Sequence, residues 1–197
     1  MRPTRHTPTP RTLARSIARP RARIAPWALS WLGLIAACAA APASPLGPTD
    51  AIASSGEPVL FSFPGAGDTQ VNSATTRGRV TALVFVTTYD MASQLVLRRV
   101  ADVIARFTPR VNAAAVVLEP PLYVDLLPAY RESLALPYPV VMADFATQQG
   151  EGQFGGIQRV PTLVVLDREG REVSRKHGSL SKPEIEEALN RASRRSR

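Results

Sequence analysis

Val80-Thr-Ala-Leu-Val-Phe-Val-Thr87 is an almost unbroken run of β-branched and apolar residues. Such a run is typical of a central strand that is buried on both faces of a sheet. From Met91 to Phe107, apolar side chains recur at helical spacing, and Thr108-Pro109 ends this repeat. A buried strand that leads directly into an amphipathic helix predicts an α/β domain.

The rest of the chain from residue 58 continues this alternation of strands and helices. Short apolar runs bounded by proline, glycine or charged residues predict further strands, and the periodic stretches predict helices. Ser181-Lys-Pro-Glu184 has the proline and the acidic residue that are typical of a helix start. The predicted strands are 59–63, 80–87, 111–118, 139–142, 162–167 and 171–174, and the predicted helices are 91–107, 123–134 and one that begins near 181.

Four stretches carry further information about the fold. They are the lead-in at 61–63 and 76–80, the segment 83–93, the tripeptide Val160-Pro161-Thr162, and the ending Asp167–Gly170 followed by Gly178 and a helix. In this order and spacing they resemble the thioredoxin-like superfamily, most closely its membrane-anchored thiol–disulfide oxidoreductases of the TlpA type. The resemblance covers about residues 58–192. It implies a thioredoxin-like domain in which a central mixed β-sheet is flanked by helices.

The segment that takes the place of the family's Trp-Cys-x-x-Cys motif departs from it. With Phe85 aligned on the family's strand, Tyr89 takes the tryptophan position, and Asp90 and Ser93 take the two cysteine positions. Thiol–disulfide exchange needs a thiolate nucleophile and a second sulfur that resolves the mixed disulfide. The peroxidase branch of the superfamily also needs sulfur where this chain has Asp90. We therefore predict that the domain is redox-inactive and uses no cofactor.

Asp90 has a structural explanation at the start of the predicted helix. Aspartate is among the best N-cap residues, worth about 1 kcal/mol, and its charge complements the helix dipole. The alternative is a site in which Asp90 contacts a basic or hydroxylated ligand. In both cases the resemblance implies that Val160, Pro161 and Thr162 form a cis-proline groove where an extended peptide can pair with the backbone.

The N-terminal segment has the pattern of an export signal. Residues 1–37 contain seven arginines and no acidic residue, and an apolar run extends from about Trp27 to Ala41. This run is shorter than the ~20 residues that span a bilayer. Ile35-Ala-Ala-Cys38 resembles the lipobox of bacterial lipoproteins, which implies cleavage before Cys38 and acylation of its sulfur. Residues 38–57 would then be a lipid-anchor cysteine and a flexible, proline- and serine-rich tether.

Other interpretations of this segment remain open. Cleavage after Ala43, in the pattern Ala41-Pro-Ala43, would release a soluble periplasmic protein. An uncleaved anchor and an organellar transit peptide are further alternatives. Cys38 is the only cysteine of the chain, and acylation or removal would withdraw it from disulfide chemistry.

The net charge of +8 does not indicate a nucleic-acid-binding protein, because it is concentrated before residue 38. From Asp50 onward, 17 basic and 16 acidic residues leave a net charge of +1. Residues 193–197 are predicted to form a solvated basic tail. His177 is the only histidine of the body and is predicted to be a surface residue, and without a nearby cysteine it does not form a usual metal site.

These observations predict a non-catalytic binding or accessory module of the bacterial cell envelope, anchored through Cys38 and facing the periplasm. Its expected partners are the membrane, through the lipid, and an envelope protein or peptide in the cis-proline groove. Two alternatives keep a catalytic or redox connection: an enzyme with non-thiol chemistry around Asp90 and Ser93, and a residual redox-related role through a partner protein. A purely structural envelope lipoprotein is the remaining alternative.

Overall fold

The structure is a computed structural model that describes residues 56–195. Within this range the chain forms a two-stranded sheet, a five-stranded sheet, five α-helices and a 3₁₀ helix at Pro121–Leu126. In chain order the other elements are β1 (Ser62–Pro64), β2 (Gln70–Asn72), α1 (Ser73–Thr76), β3 (Val80–Val86), α2 (Met91–Phe107), β4 (Val111–Val117), α3 (Leu127–Ser133), β5 (Val140–Met142), α4 (Phe145–Gln149), β6 (Thr162–Leu166), β7 (Glu172–His177) and α5 (Lys182–Arg195).

The large sheet has the strand order β5-β4-β3-β6-β7. Strands β3, β4 and β5 are parallel, whereas β6 is antiparallel to β3 and β7 is antiparallel to β6. In this register Phe85, near the end of β3, lies beside Val116 on β4 and Thr162 at the start of β6. The edge where β3, β4 and β5 end is therefore the edge where β6 begins. We call it the carboxyl end of the sheet and the opposite edge the amino end.

The core has two layers, one on each face of the large sheet. Every residue of β3 is buried, as predicted for a central strand. One layer packs α2, α3 and α5 against the sheet, and the other contains a cluster of four phenylalanines whose ring centroids lie 5.2–6.2 Å apart. The buried core runs from Val59 to Ala192, so a chain that begins at Ser44 contains all of it. The four phenylalanines are Phe61, Phe63, Phe85 and Phe154.

The predicted fold class, an α/β domain with a central mixed sheet flanked by helices, is confirmed. Several element boundaries were predicted wrongly. The helix predicted at 123–134 is instead a 3₁₀ helix at Pro121–Leu126 followed by α3, because Pro128 fits only the first turn of a helix, where no N–H donor is needed. The first strand is Ser62–Pro64 rather than 59–63.

The C-terminal ends of the last strand and the last helix also differ from the prediction. Strand β7 continues to His177, and α5 continues through Arg195. Most of the segment that was predicted as a basic tail is therefore helical. Among residues 56–195, no helix combines the length and the apolar character that crossing a bilayer would require.

Phe63→Ala tests the phenylalanine layer. Phe63 is completely buried, and truncation of a buried phenylalanine leaves a cavity that costs about 3–5 kcal/mol. The control is Leu60→Ala, because Leu60 is 58% exposed, and we expect a change within about 0.5 kcal/mol. Urea unfolding of a chain that begins at Ser44 measures both values. Similar losses for the two variants would contradict the position of Phe63 in the core.

Candidate functional site

The predicted site residues meet at the carboxyl end of the large sheet. Since Phe85 pairs with Thr162, the segment that follows β3 and the segment that precedes β6 leave the sheet together. The Val160–Pro161 peptide bond is cis, and Pro161 is buried. The carbonyl of Pro161 accepts a hydrogen bond of 2.8 Å from the N–H of Gly178, which holds this loop against the end of β7.

Asp90 is the N-cap of α2. Its carboxylate accepts hydrogen bonds from the backbone N–H groups of Ala92 (3.2 Å) and Ser93 (2.8 Å) and from the hydroxyl of Ser93 (2.6 Å). The hydrogen bond from the Ser93 side chain, together with the two backbone bonds, holds the pKa of Asp90 below its usual value. The prediction that Asp90 caps the helix agrees with these contacts.

The Asp90–Ser93 pair is poorly suited to catalysis. Ser93 is completely buried, so its hydroxyl is not available to a substrate. A general base works best when its pKa is near the operating pH, and the pKa of Asp90 is lowered from an already low value. Asp90 and Ser93 therefore satisfy each other's hydrogen-bonding groups at the helix start. This geometry does not support non-thiol chemistry there.

Tyr89, in the position of the family's tryptophan, points away from the core. It is 80% exposed, and its neighbour Met91 is 82% exposed. Just before it, the hydroxyl of Thr88 donates a 2.7 Å hydrogen bond to Glu119, and the Thr88 carbonyl accepts one of 3.0 Å from Gln94. These two bonds fix the backbone between β3 and α2 while the Tyr89 side chain remains in solvent.

Glu119 and Tyr130 are site residues that the sequence analysis missed. They line a cavity of about 280 Å³ together with Thr88, Tyr123, Leu126 and Leu127. Burial, reinforced by the negative charges of Glu119 and Asp90, raises the pKa of Tyr130 to about 12, so its hydroxyl stays protonated at neutral pH. Glu119 follows the buried strand β4, and a charged residue at the end of such a strand was a signal that the sequence offered.

Two buried oxygen atoms at this end have no hydrogen-bond partner within the described residues. They are the hydroxyls of Thr87 and Tyr130. A buried polar group without a partner costs roughly 1–3 kcal/mol, so proteins retain one mainly where something else can satisfy it. Both hydroxyls lie on segments that border the Asp90 helix start or the Glu119 cavity.

His177 was predicted to be a surface residue, and it is only partly exposed. It ends β7, is half-buried, and its Nδ1 lies 2.8 Å from the hydroxyl of Thr162. That hydroxyl has one proton and lies 2.6 Å from the carbonyl of Arg159, which can only accept. Nδ1 therefore carries the proton and donates to Thr162. Burial, with the nearby charges of Arg175 and Arg159, lowers the pKa of His177.

Within residues 56–195, no group of three or more histidine, cysteine or acidic side chains could hold a metal ion. The expectation that no metal is bound concerns the whole chain and stays a prediction. Cys38, the predicted lipidation site, lies outside the described residues, as do the predicted signal and most of the tether.

The overall fold is similar to that of solved thiol–disulfide proteins. The chain matches a thiol:disulfide interchange protein of the thioredoxin family from Chlorobium tepidum TLS with a TM-score of 0.57, 19% identity, and coverage of 76% of this chain and 99% of the other. It matches a DsbF homologue from Corynebacterium diphtheriae with a TM-score of 0.60, 16% identity, and coverage of 75% and 95%.

The chain has a thioredoxin-like fold. StoA from Bacillus subtilis is a third structural neighbour, with a TM-score of 0.52, 19% identity, and coverage of 66% of this chain and 96% of the other. At these identities the likeness establishes the fold and leaves the activity open. No protein-family model matches the chain. No curated protein matches it at a significant level either.

Two substitutions separate the contribution of the Asp90 capping hydrogen bonds to stability from that of its negative charge. Asp90→Ala removes the cap and should lower the free energy of unfolding by about 1 kcal/mol, whereas Asp90→Asn keeps a capping side chain and should cost less. The pKa of Asp90 in the folded state lies below its ordinary 3.8, so its charge stabilises the fold at higher pH. This contribution is lost as pH falls through the folded pKa.

Urea unfolding over a pH series measures this contribution. The stability difference between the natural protein and Asp90→Asn should be constant above about pH 5 and should close as the pH falls below 3.8. Asp125→Asn is the control, since Asp125 is exposed and does not cap a helix. A difference that does not change with pH would contradict the charged cap.

Proposed function

We propose that this protein is an exported, redox-inactive thioredoxin-fold module that binds an extended segment of an envelope protein at the carboxyl end of its sheet. The observation that carries the proposal is the Asp90–Ser93 pair. The two positions that hold cysteines in the resembling family hold a carboxylate and a hydroxyl here, 2.6 Å apart and bonded to each other. The fold is retained, but neither position has the sulfur atom that thiol–disulfide exchange needs.

Exposed apolar side chains support a binding role for the same end. Eight large hydrophobic residues in the described part of the chain are exposed, and seven of them lie within nine residues after the ends of β3, β4 and β5. Exposed apolar surface of this kind marks interaction sites more often than scattered single residues do. The seven are Tyr89, Met91, Leu95, Leu122, Tyr123, Leu126 and Phe145.

The groove beside Pro161 offers backbone groups for such a segment. Val160, which precedes the cis peptide bond, is half-buried, so an extended chain could approach its backbone at this groove. The cavity at Glu119 and Tyr130 adds a place for one side chain of that segment. At about 280 Å³ this cavity is slightly below the usual size of a small-molecule site.

The proposed location is the periplasmic side of a bacterial membrane. Cys38 would carry the lipid, residues 1–37 would be removed as a signal peptide, and residues 38–57 would link the lipid to the folded domain. The arginine-rich, acid-free start and the Ile35-Ala-Ala-Cys38 sequence support this proposal. Metabolic labelling with a radioactive fatty acid should mark the natural protein and leave Cys38→Ser unlabelled.

Site-specific photocross-linking in the producing cell tests the binding role. A photoreactive residue at Leu122, which is 73% exposed, should yield a discrete adduct with one partner, whereas the same residue at Arg110 on the amino end should not. Tyr89→Ser combined with Met91→Ser should abolish the adduct because both side chains are exposed at the binding end. Leu60→Ser is the matched control and should retain it.

The pattern of adducts decides the outcome. Equal adducts at Leu122 and Arg110, or an adduct that survives the loss of Tyr89 and Met91, would contradict binding at the carboxyl end. Thermal unfolding of each variant shows that a lost adduct reflects lost contact and not lost structure.

A further inference from the structure

The amino end of the sheet carries a concentration of exposed arginines. Seven of them lie in the loops that precede β3, β4 and β7 or follow β6, or at the end of α5, and all seven are exposed. The exposed acidic side chains in the same loops and in the adjoining start of the described chain are Glu169 and Glu57. This end is therefore strongly positive although the body is nearly neutral. The seven are Arg77, Arg79, Arg110, Arg168, Arg171, Arg194 and Arg195.

Three of these arginines line one cavity. Arg110, Arg168 and Arg194 surround a volume of about 260 Å³ whose floor is formed by Val80, Phe107 and Val111. The exposed Asn190 and the half-buried Ser193, both on α5, line the same cavity and add polar side chains to its wall. Guanidinium groups around a small polar cavity match the geometry and the charge of a phosphate group.

The chain enters the folded domain at this same end. The N–H of Val59 donates a 2.9 Å hydrogen bond to the carbonyl of Gly170, and Pro58 forms a bridge with Arg171 at the start of β7. The turn before β3 joins this region through a 2.9 Å bond from the N–H of Gly78 to the carbonyl of Arg168. The first described residues thus lie beside the arginines.

The opposite end holds the proposed partner-binding surface. Strand β3 has seven residues, so its two ends are about 20–23 Å apart. A coil of the length of residues 38–57 has a root-mean-square span of about 25 Å. A domain tethered through Cys38 would therefore remain near the bilayer. Its arginines could approach the headgroups to within the screening length of about 8–10 Å.

We propose that the amino end of the sheet binds the phosphate headgroups of anionic phospholipids, with Arg110, Arg168 and Arg194 as its central contacts. This contact turns the carboxyl end of the domain away from the membrane, where a periplasmic partner can reach Tyr89 and the cis-proline groove. The lipid contact does not depend on the partner-binding role, so either proposal can fail alone.

Vesicle co-sedimentation of a chain that begins at Ser44 tests the proposal without the lipid anchor. The protein should sediment with vesicles of phosphatidylcholine and phosphatidylglycerol, should not sediment with phosphatidylcholine alone, and should dissociate as salt is raised. Arg110→Gln, Arg168→Gln and Arg194→Gln together should weaken binding about a hundredfold, since one arginine near an anionic membrane contributes about fivefold.

The matched control removes the same amount of charge elsewhere. Arg98→Gln, Arg159→Gln and Lys182→Gln replace three exposed basic residues outside the amino end, and this variant should bind within about threefold of the natural chain. Equal weakening by the two triple variants would show a nonspecific charge effect and overturn the proposal. Binding to duplex DNA without binding to anionic vesicles would overturn it as well.

Orientation is measured with a single environment-sensitive fluorophore. A chain that begins at Ser44 has no cysteine, so Glu169→Cys and Phe145→Cys each give one labelling site, the first at the amino end and the second at the carboxyl end. Anionic vesicles should shift the emission of the label at position 169 to shorter wavelength and leave that at position 145 unchanged. The reverse pattern would contradict the proposed orientation.

Discussion

The pairing of β3 with β4 on one side and with β6 on the other determines where every candidate functional side chain lies. It places the end of β3, which leads into Asp90, beside the start of β6, which Pro161 precedes. It also places the end of β4, which leads into Glu119, at the same edge. The register depends on a strand that is buried over its whole length, since a shift by one residue would reverse the direction of every side chain.

At this edge the start of α2 is stabilised by a side-chain cap, at the position where the family that the sequence resembles has its redox motif. The first N–H groups of a helix attract negative charge, and a cysteine there is more acidic for that reason. In this chain the Asp90 carboxylate accepts hydrogen bonds from the backbone N–H groups of Ala92 and Ser93 and from the buried hydroxyl of Ser93. The hydrogen bond from the Ser93 hydroxyl, together with those from the backbone N–H groups at the helix start, lowers the pKa of the Asp90 carboxylate and contributes to stability.

The two ends of the sheet have different surface chemistry. The carboxyl end exposes apolar side chains around a cavity that contains Glu119, and the amino end exposes arginines around a cavity of similar size. The first suits a protein segment and the second suits phosphate groups. The described chain begins beside the arginines, so the proposed tether would join the domain on its proposed membrane side.

The sequence was sufficient to predict the parts of the fold that have strong local patterns. Strand β3 and helix α2 have unambiguous periodicity, and the bounds of α2 were predicted without error. Helix α4 and strand β2, at five and three residues, are too short for a periodic signal. The fit of Pro128 to the first turn of α3 became clear only from the structure.

The candidate site was only partly predictable, because some of its residues are brought together by folding and not by a local sequence pattern. Asp90 and Ser93 were identified because they stand at fixed positions after a recognisable strand. Glu119 and Tyr130 meet through the folding of the 3₁₀ helix onto the end of β4, which no spacing in the sequence reveals. His177 contacts Thr162 only because β7 extends further than its short apolar pattern suggested.

The most direct test restores the missing sulfur atoms. We would compare a chain that begins at Ser44 with the same chain carrying Asp90→Cys and Ser93→Cys in an insulin-reduction assay. The natural chain should be silent and the double variant active, since the helix start and the cis-proline loop are in place. Activity of the natural chain would contradict the central claim. A folded but silent double variant with accessible thiols would show that this end of the sheet is not equivalent to a thioredoxin redox site.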